Sequence, residues 1–462
     1  MTDTTSASSF SSLPLAQALL QNLDSLGFNK MTPIQAASLP QVLEGRDVIG
    51  QASTGSGKTV AFGLGLLHAL DVQKFAPQGL VLCPTRELAD QVAGELRRLA
   101  RSIHNIKILT LCGGGPFGAQ VASLKHGAHI VVGTPGRIEE HVRKGHLNTR
   151  SMSMLVLDEA DRMLDMGFQD TLTTIVSALP GRRQTLLFSA TFPEQIERMA
   201  KGYMTEPVFV KVQAERQDST IEQRFFKIED SDRSQALRQI LSAYFAESMI
   251  VFCTTKRETQ EVADTLSAQG FAALALHGDL EQRERDYTLV RFANKSANVL
   301  VATDVAARGL DISALDLVVN YHLSRDPEVH VHRIGRTGRA GAQGLACSIY
   351  SDREIGKLIR IEEEMGESFF PEKVPEAPTR SLPEPSMITL QIDGGKKQKV
   401  RPGDIVGCLT GEGGIDNAQI GKINVFDFSA FVAVERQVYR RALKKIETGK
   451  LKGRRFRVRV MK

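Results

Sequence analysis

The sequence predicts an α/β chain of two tandem parallel-sheet domains followed by a small α+β domain. Three observations predict this. Short apolar runs alternate with helix-length stretches from about residue 30 to residue 212. The same alternation restarts after the polar stretch Gln213–Thr220 and runs to Tyr350. A proline-rich segment then separates these residues from a basic unit at the end of the chain.

The first series of runs is Asp47–Gly50, Gly79–Cys83, Ile106–Leu111, His129–Gly133, Met154–Asp158, Thr185–Ser189 and Val208–Val212. They are continuous and β-branched rather than alternating, which marks strands buried on both faces of a sheet. The second series is Gln223–Ile228, Ser248–Cys253, Ala272–Leu276, Val299–Thr303, Leu317–Tyr321 and Leu345–Tyr350. Five prolines (Pro371, Pro375, Pro378, Pro383 and Pro385) lie between Gly366 and Ser386 and predict an extended linker. Beyond it the pattern is strand Met387–Ile392, helix Pro402–Leu409, strands Gln419–Val425 and Ala430–Val434, helix Glu435–Thr448, strand Phe456–Met461. This β-α-β-β-α-β order is the ferredoxin-like plan that RNA recognition motifs use. The expected domains are therefore 1–212, 213–365 and 387–462, with a linker at 366–386.

Charge is unevenly spread. Residues 387–462 carry 17 Lys and Arg against 7 Asp and Glu, a net +10, which leaves the preceding residues at −5. A small domain that basic suits nucleic acid. The five cysteines (Cys83, Cys112, Cys253, Cys347 and Cys408) stand far apart, without zinc spacing or a disulfide framework. No apolar run approaches the ~20 residues that span a bilayer, and residues 1–12 lack the order of a signal peptide. A cytoplasmic protein without a membrane partner is expected.

Two segments carry phosphate chemistry. Ala52-Ser53-Thr54-Gly55-Ser56-Gly57-Lys58-Thr59 lies between an expected strand and a helix. Its glycines let backbone N–H groups approach phosphates, and a helix N-terminus favours their charge. Lys58 is expected on the β and γ phosphates, and the Thr59 hydroxyl on Mg²⁺. The general pattern starts with Gly, where this chain has Ala52. About 100 residues on, Asp158-Glu159-Ala160-Asp161 ends another expected strand. Asp158 is expected on Mg²⁺, and Glu159 to orient or deprotonate the attacking water.

Asp158–Asp161 spells the signature of the DEAD-box ATP-dependent RNA helicases, and the chain resembles that family across residues 10 to about 350. Gly27-Phe28 and Met31-Thr32-Pro33-Ile34-Gln35 resemble its Q motif, with Phe10 upstream. The resemblance implies that Gln35 reads the adenine edge. It assigns RNA-backbone contacts to Pro84, Thr85, Arg86, Gly113, Gly114, Thr134, Gly136 and Arg137, and coupling of ATP state to RNA separation to Ser189 and Thr191. In the second domain it assigns RNA contacts to Gln282, Arg285 and Thr303, ATP contact to Asp311, and arginine fingers to Arg336 and Arg339. It also implies RecA-like sheet domains. Thr85, Thr134 and Thr303 also suit helix caps, and Arg86 and Arg137 also suit ion pairs, but the match of whole motifs favours phosphate contact.

The last segment lacks the base-stacking aromatics of an ordinary RNA recognition motif; its nearest match, Phe428–Val434, is incomplete. Lys396, Lys397 and Arg401 in one stretch, and Arg454 and Arg455 in another, predict phosphate-led binding away from the sheet face. This segment resembles the tail of a bacterial branch of the family that acts on a hairpin of large-subunit ribosomal RNA. The resemblance implies a role on a pre-ribosomal particle. A DNA translocase and an ATP-dependent RNA clamp share the two-domain engine and stand as rivals. The Q motif speaks against the first, and Glu159 with both fingers against the second.

Overall fold

The computed structural model describes residues 9–52, 55–212, 221–307, 315–338, 343–377 and 382–461. Ser53, Thr54, Asp311 and Arg339 lie outside the described residues.

The first domain is a sheet of seven parallel strands: β1 Val48–Gln51, β2 Gly79–Leu82, β3 Ile108–Leu111, β4 Ile130–Gly133, β5 Met154–Asp158, β6 Gln184–Ser189 and β7 Val208–Lys211. Their order is β3-β4-β2-β5-β6-β1-β7. Period-two alternation sends neighbours to opposite faces. Val48, Val81, Val132, Val156 and Leu186 join one core, while Ile49, Leu80, Val131, Leu155 and Leu187 join the other. Asp47 closes the strand starts, its carboxylate accepting from Thr185 N and Thr205 N, both at 2.7 Å.

The second domain repeats the plan with β8 Ile221–Lys227, β9 Met249–Cys253, β10 Ala273–Leu276, β11 Val299–Thr303, β12 Leu317–Asn320, β13 Gly344–Tyr350 and the two-residue edge β14 Pro371–Glu372. The order is β10-β11-β9-β12-β13-β8-β14, all parallel. The β14 edge corrects the reading of 366–386 as a linker free of packed structure. Phe369 stacks on Phe225 with ring centroids 4.2 Å apart, and Pro371–Glu372 then pairs with β8. Proline has no N–H for a ladder, so an edge strand is where it can sit.

The last domain is an antiparallel sheet of β15 Met387–Ile392, β16 Ile420–Val425, β17 Ala430–Glu435 and β18 Val458–Val460, ordered β16-β17-β15-β18. One face packs Leu390, Ile392, Val432 and Val434 with Ile405, Leu409, Ala442 and Ile446, which lie on the helices Pro402–Thr410 and Tyr439–Thr448. The other face is also buried: Thr389, Gln391, Phe431 and Ala433 are each at most 3% exposed. It is covered by the Gln282–Ala293 helix of the second domain and the turn after it. The Asn294 amide donates to Thr389 Oγ1 (3.2 Å), and the Ser296 and Thr389 hydroxyls are 2.6 Å apart. Gln391 Nε2 donates to the Tyr287 hydroxyl (3.2 Å), and the Tyr287 and Phe431 rings meet edge-on at 5.5 Å. The domain is docked as well as tethered.

Because Phe431 fills a space between two domains, Phe431→Ala is expected to cost about 3–5 kcal/mol as a large-to-small core change. Thermal unfolding of the full chain should show an early transition from the C-terminal domain, and limited proteolysis should release that domain.

Candidate nucleotide and RNA site

The sheet of the first domain places its functional segments at one edge. The loops after β1, β2, β3, β4, β5 and β6 all leave the carboxyl ends of parallel strands, where open α/β sheets bind ligands.

The loop after β1 leads into the Lys58–Ala69 helix. Gly57 sits at φ +96°, and a Cβ there would lie 2.4 Å from Gln35 Nε2, so only glycine fits. Gln35 explains the closeness. Its Nε2 donates to Gly57 O at 3.0 Å, and its Oε1 accepts from Thr32 N at 2.9 Å. One side chain thus ties the expected base end of the site to the phosphate loop. Lys58 is buried, and its ammonium donates to Ala52 O at 2.9 Å. Thr59 and Ser56 are half-buried, and Gly55 is exposed.

Asp158 ends β5 with its carboxylate buried. Burial pushes its pKa up to about 7, against the pull of the Lys58 ammonium. Its Oδ1 is buried without a hydrogen-bond partner. A carboxylate so placed beside a lysine and a phosphate loop fits a divalent cation, whose remaining ligands would be Thr59, phosphate and water. Glu159 adopts a left-handed backbone at φ +53°, an unfavourable conformation for a residue with a side chain.

The carboxylate of Asp161 was not singled out in the sequence. Its Oδ2 accepts from Ala190 N (3.2 Å), Thr191 N (3.1 Å) and Thr191 Oγ1 (3.2 Å), and Ser189 Oγ accepts from Asp161 N (3.4 Å). The segment after β5 and the segment after β6 are thereby one hydrogen-bonded unit. The bonds come from 28–30 residues away in sequence, so no local signal marks them.

Both Q-motif aromatics pack on the first core. Phe10 is 4% exposed within the first core, so packing accounts for its ring. Phe28 is partly buried against the same core, with the Arg98 guanidinium 5.8 Å from its centroid.

The expected RNA residues of the first domain come together. Pro84 is buried, and Thr85 caps the Arg86–Leu99 helix, its Oγ1 accepting from Leu88 N at 3.3 Å. Arg86 lies over Gly113 and Gly114; a Cβ on Gly114, at φ +78°, would collide with its Nη1. Thr134 precedes the Pro135–Arg143 helix, where Gly136 is exposed. Arg137 is half-buried and held by its neighbours. Its Nη1 donates to Gln120 Oε1 (2.8 Å) and Gly115 O (3.3 Å), and its Nε pairs with Glu140 (3.2 Å). Its side chain therefore braces the glycine loop.

In the second domain, Gln282 and Arg285 share the first turn of their helix; Gln282 Nε2 donates to Asp286 (2.9 Å) and Arg285 Nη1 to His277 O (3.5 Å). Thr303 ends β11, its Oγ1 accepting from Ala306 N. Arg336 is half-buried, just after the Pro327–Ile334 helix. That helix is fixed by Arg333, which forks onto both Asp304 oxygens at 2.6 and 2.7 Å.

Comparison with known proteins agrees with this geometry. The family profile of DEAD/DEAH box helicases matches residues 32–199, the helicase conserved C-terminal domain 232–341, and the DbpA RNA binding domain 389–460. The chain is 52% identical over 458 residues to the ATP-dependent RNA helicase DbpA of Escherichia coli, covering 99% of this chain and 100% of that one. The chain belongs to the DEAD-box ATP-dependent RNA helicases. It is also 46% identical over 354 residues to the DEAD-box helicase CshA of Bacillus cereus, covering 76% of this chain and 67% of the relative. A structure of S. cerevisiae Dbp5 bound to RNA and ADP BeF3 matches with a TM-score of 0.72 and 31% identity, covering 79% of this chain and 96% of that one. As a DEAD-box helicase the protein hydrolyses ATP and binds RNA, and it carries an RNA-binding domain of the DbpA type.

Asp161→Ala would strand the amide donors of Ala190 and Thr191, at about 1–3 kcal/mol for each one left unpaired. The expected result is a lower urea midpoint and a larger loss of duplex unwinding than of ATP turnover. Asp161→Asn, which keeps an acceptor oxygen, should be milder on both readouts.

Proposed function

We propose that this helicase opens structured RNA by ATP-gated closure of its two sheet domains, on a hairpin of large-subunit ribosomal RNA in an assembling particle of the cytoplasm. The observation that carries the motor part is the bonding of Asp161 to Ala190 and Thr191 next to the phosphate loop. A change at the γ-phosphate that moves the segment after β5 must move the segment after β6 with it.

Lys58 and the N-terminus of its helix hold the phosphates, and Gln35 and Phe28 border the base. Thr59 and Asp158 would hold Mg²⁺, which when bound neutralises charge on the β and γ phosphates. Glu159 orients the attacking water. Arg336, Arg339 and Asp311 complete the site from the second domain; a finger supplied in this way is worth ~10³–10⁵ in rate. RNA bound to both domains favours closure, and by reciprocity ATP then tightens RNA. With the half-buried Arg137 engaged by Gln120, Gly115 and Glu140, the backbone around Gly113, Gly114 and Gly136 is the better candidate for RNA contact there.

The ribosomal target rests on the likeness of the C-terminal segment to the bacterial branch described above and on its net +10. Its basic residues approach RNA phosphates from the helix and loop side, because domain docking already covers the sheet face.

Lys58→Ala should abolish ATP turnover. Glu159→Gln should bind ATP and hydrolyse it about 10²–10⁴-fold more slowly, the range of a general acid–base group; wild-type hydrolysis in that variant would remove Glu159 from the water. Arg336→Ala should cut the rate by about 10³-fold or more while ATP still binds.

For targeting, RNA crosslinked to the protein in cells should be enriched in one segment of large-subunit ribosomal RNA. Reversing Arg454 and Arg455 to Glu should flatten that enrichment. An even spread over cellular RNA from the unaltered protein would refute the ribosomal reading.

A further inference from the structure

The Gln282–Ala293 helix serves two surfaces. Its first turn carries Gln282 and Arg285, and its later residues hold the C-terminal sheet. The pairings fix its direction: Tyr287 meets Gln391, Asn294 meets Thr389, and Met387 N donates to Lys295 O at 3.4 Å. The helix runs antiparallel to β15, so its first turn lies toward the Asp393 end of that strand. Arg283, whose guanidinium donates to the Tyr287 hydroxyl at 2.7 Å, also feels the Asp393 carboxylate.

That end of the C-terminal domain is built from two loops bonded together. Lys396 N donates to Phe426 O (2.8 Å), and Lys397 N to Asp427 O (2.9 Å). Phe426 N donates to Ser429 O (2.8 Å), which closes the loop between β16 and β17. Phe428 stands at the tip of this loop, 68% exposed. Phe426, Phe456 and Tyr439 are partly buried and Phe431 is covered, so among the described residues of this domain Phe428 is the one fully presented ring. Lys396 and Lys397 beside it are exposed and enter no ion pair among the described residues. A bare ring flanked by cations matches a nucleotide: every base has a π-face to stack, and lysines take the phosphates.

We infer that Phe428 stacks on an unpaired RNA base, with Lys396 and Lys397 on the adjoining phosphates, in a strip continuous with the strand that Gln282 and Arg285 hold. The continuity rests on the proposed role of those two residues in RNA contact. Docking supplies what the separate domains lack, a path from the second domain's RNA edge onto the C-terminal domain without crossing the buried sheet face.

The test uses the full-length protein with a non-hydrolysable ATP analogue and fluorescent RNA. Affinity is measured for a short single strand that fills the core, and for the same strand extended by a few nucleotides at either end. The quantity read is the gain in affinity that extension brings. In Phe428→Ala this gain should fall by about 5- to 150-fold, the equivalent of ~1–3 kcal/mol per stacked base. Phe428→Trp should restore it. Lys396→Ala with Lys397→Ala should lower the salt slope of the extended complex by ~0.7 for each phosphate left without its cation. An unchanged gain in Phe428→Ala, for both extensions, would overturn the inference. So would restoration by Phe428→Leu as complete as by Phe428→Trp, which would mean greasy contact without stacking. Gln282→Ala with Arg285→Ala reads the underlying assignment separately. That variant should weaken the short strand, and if it does not, the core contact is misassigned while the Phe428 arm still decides the stacking.

Discussion

Parallel strands buried on both faces leave a chain few places for chemistry. Side chains on either face of β2, β4 and β5 are committed to the two cores, and helices cover both faces. Polar groups can collect only where strands end, and the right-handed crossovers of a parallel sheet bring the loops of non-adjacent strands to the same edge. The phosphate loop after β1, the acidic segment after β5 and the Ser189–Thr191 segment after β6 meet for this reason, since β1, β6 and β5 are neighbours in the sheet. Backbone packing thus explains both the site's composition and its crowding.

Crowding has an electrostatic consequence. Asp158 is surrounded closely enough for burial to raise its carboxyl to about 7, and Lys58 is the nearby charge that opposes this. The carboxylate is incompletely bonded, with Asp158 Oδ1 left without a partner. Asp161 differs in that its oxygens are satisfied by the chain itself. Two acids three residues apart therefore have different work, one open to a ligand and one fastened to the neighbouring segment.

Much of this was legible in the sequence. The strand runs, their two series and the β-α-β-β-α-β tail match the observed sheets closely, because fully apolar β-branched runs have few other places to go. The phosphate loop and the DEAD segment were legible because their chemistry is local. Long-range pairings were hidden. Nothing near Asp161 announces Thr191, and nothing near Arg137 announces Gln120, although Glu140 three residues on was a local ion-pair partner. The sequence also did not show how deeply Phe10 packs into the core. The proline-rich stretch gave a fair picture of an extended chain, but Phe369 against Phe225 pins its start to the second domain. Docking of the last domain was equally silent, since Thr389 and Asn294 are ordinary residues until they face one another.

That docking bears on how modular such proteins are. A flexible leash hands on affinity and nothing else, so any RNA-binding head could replace another. Here the head is bolted at Thr389, Gln391 and Phe431 to a helix of the engine and the turn after it. Grafting a foreign head would preserve recognition yet discard its bearing. The grip and the engine would then address the same transcript at unrelated angles. Evolution of a new target in this architecture is consequently easier by altering loops on the existing head than by exchanging it.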